Sequence, residues 1–283
     1  MMRPASSAMR LLIGISLVLE LVADCGRCFG LCCVAPAFAA SADFAINKDA
    51  GRPCPNLGSD SRCGIHAHLR ERGFRGCAVY DCFGAGQHVA QGTFGGRDWR
   101  AERQASVLMF GAFEVMRQLH ELLWYVTEAL KLQAAQAVHE ELRLLSARTE
   151  QLTNLSAERL IPLDIESHRE DVNGLLRRAS LLERRVVRPD APDYAGADLI
   201  GADLRGKDLR GATFRGACLI GADLSEAKLH ATDFTGADVR DADLRGADLS
   251  AALFVTQSQL EAARGDATTS VPPLRRHPPH WLV

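Results

Sequence analysis

The 283-residue chain lacks an excess of charge of either sign: 33 Lys and Arg stand against 35 Asp and Glu, a formal net charge of −2. Nothing global therefore draws it to nucleic acid or to an anionic membrane. Beyond the first two dozen residues no run is apolar enough to span a bilayer. Complete catalytic signatures are lacking too. His120-Glu121-Leu122-Leu123-Trp124 begins like the His-Glu-x-x-His of zinc hydrolases, but Trp124 stands where the second ligand must be, and His139-Glu140 has no partner either. Phe83-Gly84-Ala85-Gly86-Gln87-His88 lacks both the third glycine of a dinucleotide fingerprint and the Gly-Lys-Ser/Thr of a nucleotide loop, so it reads as a turn, as does Thr93-Phe94-Gly95-Gly96. No nucleophile–base–acid set stands out, which leaves an enzyme unsupported. Cysteine is nearly absent after residue 82, where Cys218 stands alone.

What is present is a repeat. From Tyr194 to Phe254 a large apolar residue returns every five places: Leu199, Leu204, Leu209, Phe214, Leu219, Leu224, Leu229, Phe234, Val239, Leu244, Leu249 and Phe254. Two places earlier stands Ala in ten of the twelve, Lys207 and Thr232 being the exceptions. A helix would scatter these residues around its circumference, and a strand would put neighbouring ones on opposite faces. Only a chain that turns a corner every five residues sends both places inward each time. The residue before each large one points outward and is usually Asp (Asp198, Asp203, Asp208, Asp223, Asp233, Asp238, Asp243, Asp248), with Gly common at the corners.

This segment resembles the pentapeptide-repeat proteins, with their A-(D/N)-L-x-x signature. The resemblance implies a right-handed, four-sided β-helix of about twenty residues per coil. Twelve repeats would give about three coils, roughly 15 Å of rod at about 4.8 Å per coil, with open ends that need caps. It also implies a known activity, protection of DNA gyrase by mimicry of duplex DNA. One duplex turn is about 34 Å, and Arg205, Arg210, Arg215, Arg240 and Arg245 interrupt an acidic excess of twelve to seven. Gyrase or DNA-enzyme modulation therefore stays an alternative that a homodimer, by lengthening the rod, would help.

Eight cysteines crowd the start: Cys25, Cys28, Cys32, Cys33, Cys54, Cys63, Cys77 and Cys82. Cys-x-x-Cys spacing lets two thiolates grip one ion from a tight turn. The string CxxCxxxCC, with the later Cys54-Pro-Asn-Leu, Cys63-Gly-Ile-His and Gly-Cys77, resembles the YkgJ-type cysteine-cluster family. That family is described as chelating zinc or iron; it often has Tyr where His66 stands here. Three states are open to these thiols: metal or cluster binding by most of the eight, structural disulfides if the chain is exported, or unconnected thiols. Metal binding is the reading adopted, with zinc against iron–sulfur undecided by spacing. His66 and His68 are read as solvated or packed, and Cys218 as a tolerated substitution.

The expected organisation is α+β and multidomain. An apolar segment at 1–21 would be a first helix or the start of an export signal. A cysteine domain follows at 22–103, and about three helices at 104–188, with Met109, Ala112, Met116, Leu119, Leu123, Val126 and Leu130 forming the seam of the first. Ser106 is the candidate cap of that first helix, and the third is a candidate cover for the open first end of the β-helix. The β-helix would span 193–255, a capping helix 256–265, opened by the capping box Thr256-Gln257-Ser258-Gln259 and closed by Gly265, and a flexible tail 266–283. The expected function is a cytoplasmic, non-enzymatic, metal-binding interaction protein with a protein partner, no direct nucleic-acid or membrane contact and a homodimer as an option. A redox protein with a catalytic iron–sulfur centre is the runner-up.

Overall fold

The computed structural model describes residues 21–101 and 103–282. Of the apolar segment 1–21, all but Leu21 lies outside them. The chain divides into two compact units: one of residues up to Gly73 with Cys82–Thr127 and Arg143–Val172, the other of Phe74–Asp81, Glu128–Leu142 and the chain from Asn173 onward. Eight α-helices are found among the described residues: α1 (Leu31–Val34), α2 (Arg75–Ala78), α3 (Ala85–Gln87), α4 (Arg103–Ala129), α5 (His139–Thr153), α6 (Ala157–Leu160), α7 (Ile165–Val187) and α8 (Gln257–Ala262). No described helix is long and apolar enough to cross a membrane.

In the first unit α4 supplies the core. Met109, Ala112, Phe113, Met116 and Leu119, at steps of one, three and four, are buried against Leu31 of α1, Ala85 of α3, Leu160 of α6 and Ile165 of α7. Ser106, a candidate cap from sequence, instead sits inside the first turn and donates its hydroxyl to the Arg103 carbonyl at 2.7 Å.

The second unit corrects the expected fold class. An α+β chain with a β-helix of three coils was anticipated, yet no β-strand and no sheet occurs among the described residues. The repeat segment is a stack of turns joined by isolated parallel bridges between residues twenty apart, such as Asp198↔Cys218, Asp203↔Asp223 and Asp208↔Lys228. The reason is the length of the repeat. Each Ala closes a turn onto the large residue before it (Ala202 N–H to the Leu199 carbonyl, 3.1 Å; Ala212 to Leu209, 3.0 Å). Between two such turns one residue is left to pair in extended form, and a strand needs several.

The inward places behave as the repeat dictates from Leu204 to Leu249, but Phe254, read as the last of them, takes φ 60° and is not part of the axial cluster. Leu204 to Leu249 and the interposed Ala residues form one buried cluster, which Val255 joins. Tyr194, Phe214 and Phe234 stack at twenty-residue intervals, with ring centroids 5.2 and 5.5 Å apart. Thr232, in an Ala place, is fully buried and donates its hydroxyl to the Leu209 carbonyl at 2.8 Å. Glu226, Ala231 and Asp241 stand in the Gly place and adopt the same left-handed backbone at φ 60°, 53° and 54°, at about 1–2 kcal/mol each.

The part of α7 in this unit lies along one side of the stack rather than over its first end. Ser180 donates to the buried Asp233 carboxylate (2.6 Å), Arg184 to the Gly211 carbonyl (3.0 Å), and Arg215 reaches Asn173 (2.6 Å). Asp233 also accepts the amide and hydroxyl of Thr235 at 2.8 and 2.6 Å, so this buried carboxylate is fully engaged.

At the other end Thr256-Gln257-Ser258-Gln259 forms the capping box read from sequence. The Thr256 hydroxyl accepts from the Gln259 amide and the Gln259 side chain accepts from the Thr256 amide. Leu260 of α8 is fully buried in the axial cluster, and Gln259 donates to the carbonyls of Phe234 and Ala237 (2.8 and 3.0 Å). Thr256→Ala is expected to lower stability by about 1 kcal/mol. An unchanged urea midpoint would show that packing of Leu260 alone holds α8.

The segment 266–282, read as a flexible tail, continues the stack. Arg264 and Ser270 bridge to Asp243 and Asp248. Thr269 donates to the Leu244 carbonyl at 3.0 Å, and Arg275 to that of Val255 at 3.0 Å. Trp281, 3 % exposed, enters the axial cluster with its indole N–H on the Ala263 carbonyl at 3.1 Å.

Candidate functional site

Seven of the eight clustered cysteines fall in the first unit, and Cys77, on α2, falls in the second. The first pair is set by a turn. The Asp24 carboxylate accepts the Gly26 amide (3.0 Å) and the Asp24 carbonyl that of Arg27 (3.1 Å), which leaves Cys25 exposed and Cys28 buried. The Cys28 thiol donates to the Cys25 carbonyl at 3.6 Å. Gly30, at φ 68°, then starts α1, which carries Cys32 and Cys33. The Cys54 amide donates to the Cys33 carbonyl at 2.9 Å, and Leu57 bridges to Cys63. Behind α1 the buried Lys48 ammonium donates to the carbonyls of Val34, Asp49 and Arg52 at 3.0–3.1 Å.

These thiols act on one another in pairs. Once ionised, Cys28 gives up its bond to the Cys25 carbonyl and accepts from the Cys25 thiol; this, with partial burial, pushes Cys25 well up and brings Cys28 down to about 7 against the effect of burial. Cys32 is raised by its bond to Cys33 and by burial. Cys33 is lowered by that bond, helped by Cys63 and by the Lys48 charge. Burial raises Cys63, and the charges of Cys33 and Cys54 raise it further. Cys82 is close enough to act on Cys28 and Cys32. Among the described residues, however, no three Cys, His, Asp or Glu side chains surround a common point as metal ligands would. The donor chemistry suits zinc or iron–sulfur; closing four thiolates on one ion would require their side chains to turn from these positions. His66 and His68 are exposed in a short 3₁₀ turn, and His68 pairs with Glu71 at 3.0 Å. Cys218 sits in the outward place before Leu219 and bridges to Asp238.

A second feature borders the thiols. Phe83 and Gly84 take left-handed angles in succession (φ 49° and 81°), followed by α3 and a π-helical turn at His88–Thr93. The Phe83 carbonyl lies 2.7 Å from Nδ1 of His120 on α4. A carbonyl only accepts, so Nδ1 carries the proton. Nε2 of His120 is then the acceptor for Nδ1–H of His88 at 2.8 Å. His120 is 3 % exposed, and burial above all brings it down to about 4, the Phe83 bond opposing and His88 assisting. Both rings border a cavity of about 660 Å³, shared with Arg27, Leu123 and Glu150. Gly86 is where the thiol turn meets α3: a Cβ there would stand 2.8 Å from Cys28 Cβ. The sequence marked both motifs and linked neither to the other, because nothing local relates residue 88 to residue 120.

The family model for pentapeptide repeats matches eight copies over residues 195–230 and 219–250. The protein "Uncharacterized protein YybG" of Bacillus subtilis (strain 168) is 53% identical over 265 residues, 93% of this chain and 95% of its own length. Among solved structures, a pentapeptide repeat protein from the Arabidopsis thaliana thylakoid lumen shares 29% identity over 33% of this chain and 61% of its own, with a TM-score of 0.23. HetL, a pentapeptide repeat protein involved in heterocyst differentiation regulation from Nostoc, shares 33% over 28% of this chain and 35% of its own, also with a TM-score of 0.23. This chain thus spans less than two thirds of either solved protein.

Proposed function

We propose that this chain, which belongs to the pentapeptide-repeat proteins and to the same family as YybG of Bacillus subtilis, is a non-enzymatic interaction protein whose clustered thiols bind zinc or an iron–sulfur centre. The observation that carries the reading is the gathering of thiols from four separated stretches, at Cys25–Cys33, Cys54, Cys63 and Cys82, into one another's electrostatic reach within one unit. Two of them, Cys28 and Cys33, are acidified there. Neighbouring thiols cannot all ionise unaided, since each charge raises the next, and a divalent cation or cluster is the ordinary chemical answer to that repulsion. The likeness of the cysteine spacing to the YkgJ-type family supports the same reading. Bound zinc would tie the stretches together, whereas an iron–sulfur centre would add one-electron transfer. A metal-bound thiol set fits a reducing compartment, as expected for the cytoplasm.

The repeat stack would serve as the docking body. Its outward carboxylates are engaged in place, Asp208 by Arg210 and Asp238 by Arg240 at 2.7 and 2.6 Å, and Asp243 by Arg245. Three of the eight outward aspartates are thus neutralised in place, which thins the acidic stripe and favours protein docking over DNA mimicry.

Metal analysis and a visible spectrum of anaerobically purified protein test the thiol reading. At least one equivalent of zinc or iron is expected, lost in the double variant Cys25→Ser/Cys28→Ser. Metal-free wild-type protein would sink the proposal. An absorption band that bleaches on reduction would identify iron–sulfur, and a colourless zinc protein would rule out the redox alternative.

A further inference from the structure

Inside the stack each bridging residue turns both of its backbone groups toward the coil before it. Cys218 donates its N–H to the Ala197 carbonyl (2.9 Å) and accepts from the Leu199 amide (2.8 Å); Asp223 does the same with Ala202 (2.9 Å) and Leu204 (2.8 Å). In the first coil the equivalent residues are Asp193, Asp198, Asp203 and Asp208, and no coil precedes them. The Asp208 carbonyl is met by the Arg188 guanidinium at 3.2 Å. Asp198 and Asp203 are exposed, and their backbone groups have no partner among the described residues. Beside them Leu199 and Ala202 are only partly buried on the axial cluster, and Ile200 is 60% exposed. The far end is different, being closed by α8, Trp281 and the bridges of Arg264 and Ser270.

We infer that this open edge is a self-association surface whose occupant is the same edge of a second copy of the chain. Asp198 and Asp203 lie on adjacent sides of the coil, with the turn at Ile200–Gly201 between them. An extended peptide can follow one side but cannot round the corner, so a partner that pairs with both must turn the same corner. A second copy does so, and a two-fold axis lets each edge serve the other. Charge does not oppose it. Asp203, Asp223 and Asp243 are already bridged one above another. The carboxylates of Asp198 and Asp203 are held by the amides of Ile200 and Arg205, both at 3.2 Å, as Asp223 is by Ser225 at 2.9 Å. The two-fold axis sets the paired edges antiparallel where the bridges of the stack are parallel, and it brings the carboxylates no closer than the stack already holds them.

Sedimentation of the full chain over a concentration series, under reducing conditions so that Cys25 cannot cross-link copies, is the test. Twice the monomer mass is expected as concentration rises, together with slowed hydrogen exchange at the amides of Asp198 and Asp203. Asp198→Pro/Asp203→Pro removes the four edge amides of a dimer and should weaken association by about a hundredfold, at roughly 0.5–1 kcal/mol per lost bond. A monomer at every concentration overturns the inference, and so does a dimer of unchanged affinity in the variant. If the proline variant fails to fold, exchange in the wild-type chain decides: protection at residues 198 and 203 that does not depend on concentration overturns it.

Discussion

Trp281→Ala is expected to destabilise the repeat-bearing unit by about 3–5 kcal/mol, the range for removing a buried large aromatic side chain. The indole is 3 % exposed, sits in the axial cluster and donates to the Ala263 carbonyl at 3.1 Å. Its loss would leave a cavity at the closed end of the stack and remove one of the two ring nitrogens that meet the Ala263 carbonyl, the other being Nε2 of His280 at 3.1 Å. The neighbouring glycine makes the same point from the other side. A Cβ on Gly265 would stand 2.5 Å from Cδ2 and Cε3 of Trp281, so Gly265→Ala should displace the ring and destabilise with the same sign. Urea unfolding followed by far-ultraviolet circular dichroism measures both. A loss under about 1 kcal/mol for Trp281→Ala would mean that the last residues rest on the stack without supporting it.

Acidification from pH 6.5 to pH 4 is expected to remove roughly 3 kcal/mol from the first unit through His120 alone. The ordinary histidine value of 6.5 is brought down to about 4 in the fold, mainly by burial. Between those two values the unfolded chain binds a proton that the folded chain refuses, so stability falls as pH falls. The contribution is whole above about 6.5 and gone below about 4. The unprotonated Nε2 is also what His88 donates to, so protonating His120 breaks the pair as well as charging a buried ring. Trp124, whose ring lies 5.9 Å from that of Phe83, is a built-in fluorescence reporter for the region. Urea midpoints from pH 4 to 7 should slope in the wild type and flatten over this window in His120→Gln. Stability that rose on acidification would mean that the ring is charged in the fold.

Legibility from sequence followed the range of the interaction. The capping box at Thr256 and Gln259 was readable because its partners are three residues apart. The inward places of the repeat were readable because the same environment recurs every five residues. Gly265 was read as the close of a helix, yet α8 already ends at Ala262, and the glycine makes room for an indole sixteen positions later. Ser106 was read as a cap because it precedes the apolar seam, but α4 begins at Arg103, one turn earlier. The cysteine string announced a shared chemistry. It did not announce that Cys63 would come near enough to act on Cys33, or the Lys48 ammonium behind α1, both of which depend on how three loops meet.

By itself the sequence determined that residues 194–254 turn a corner every fifth residue with one large and one small side chain inward, because periodicity is a property of neighbours along the chain. The tertiary structure decided what the corners leave over. A single pairing residue per side makes isolated bridges where strands were expected, and three of the outward carboxylates, those of Asp208, Asp238 and Asp243, are paired with arginines two places on. It also decided the partners of His120 and Trp281, which lie 32 and 18 residues away. Such contacts are set by where the whole chain returns in space, and no spacing along the sequence encodes that return.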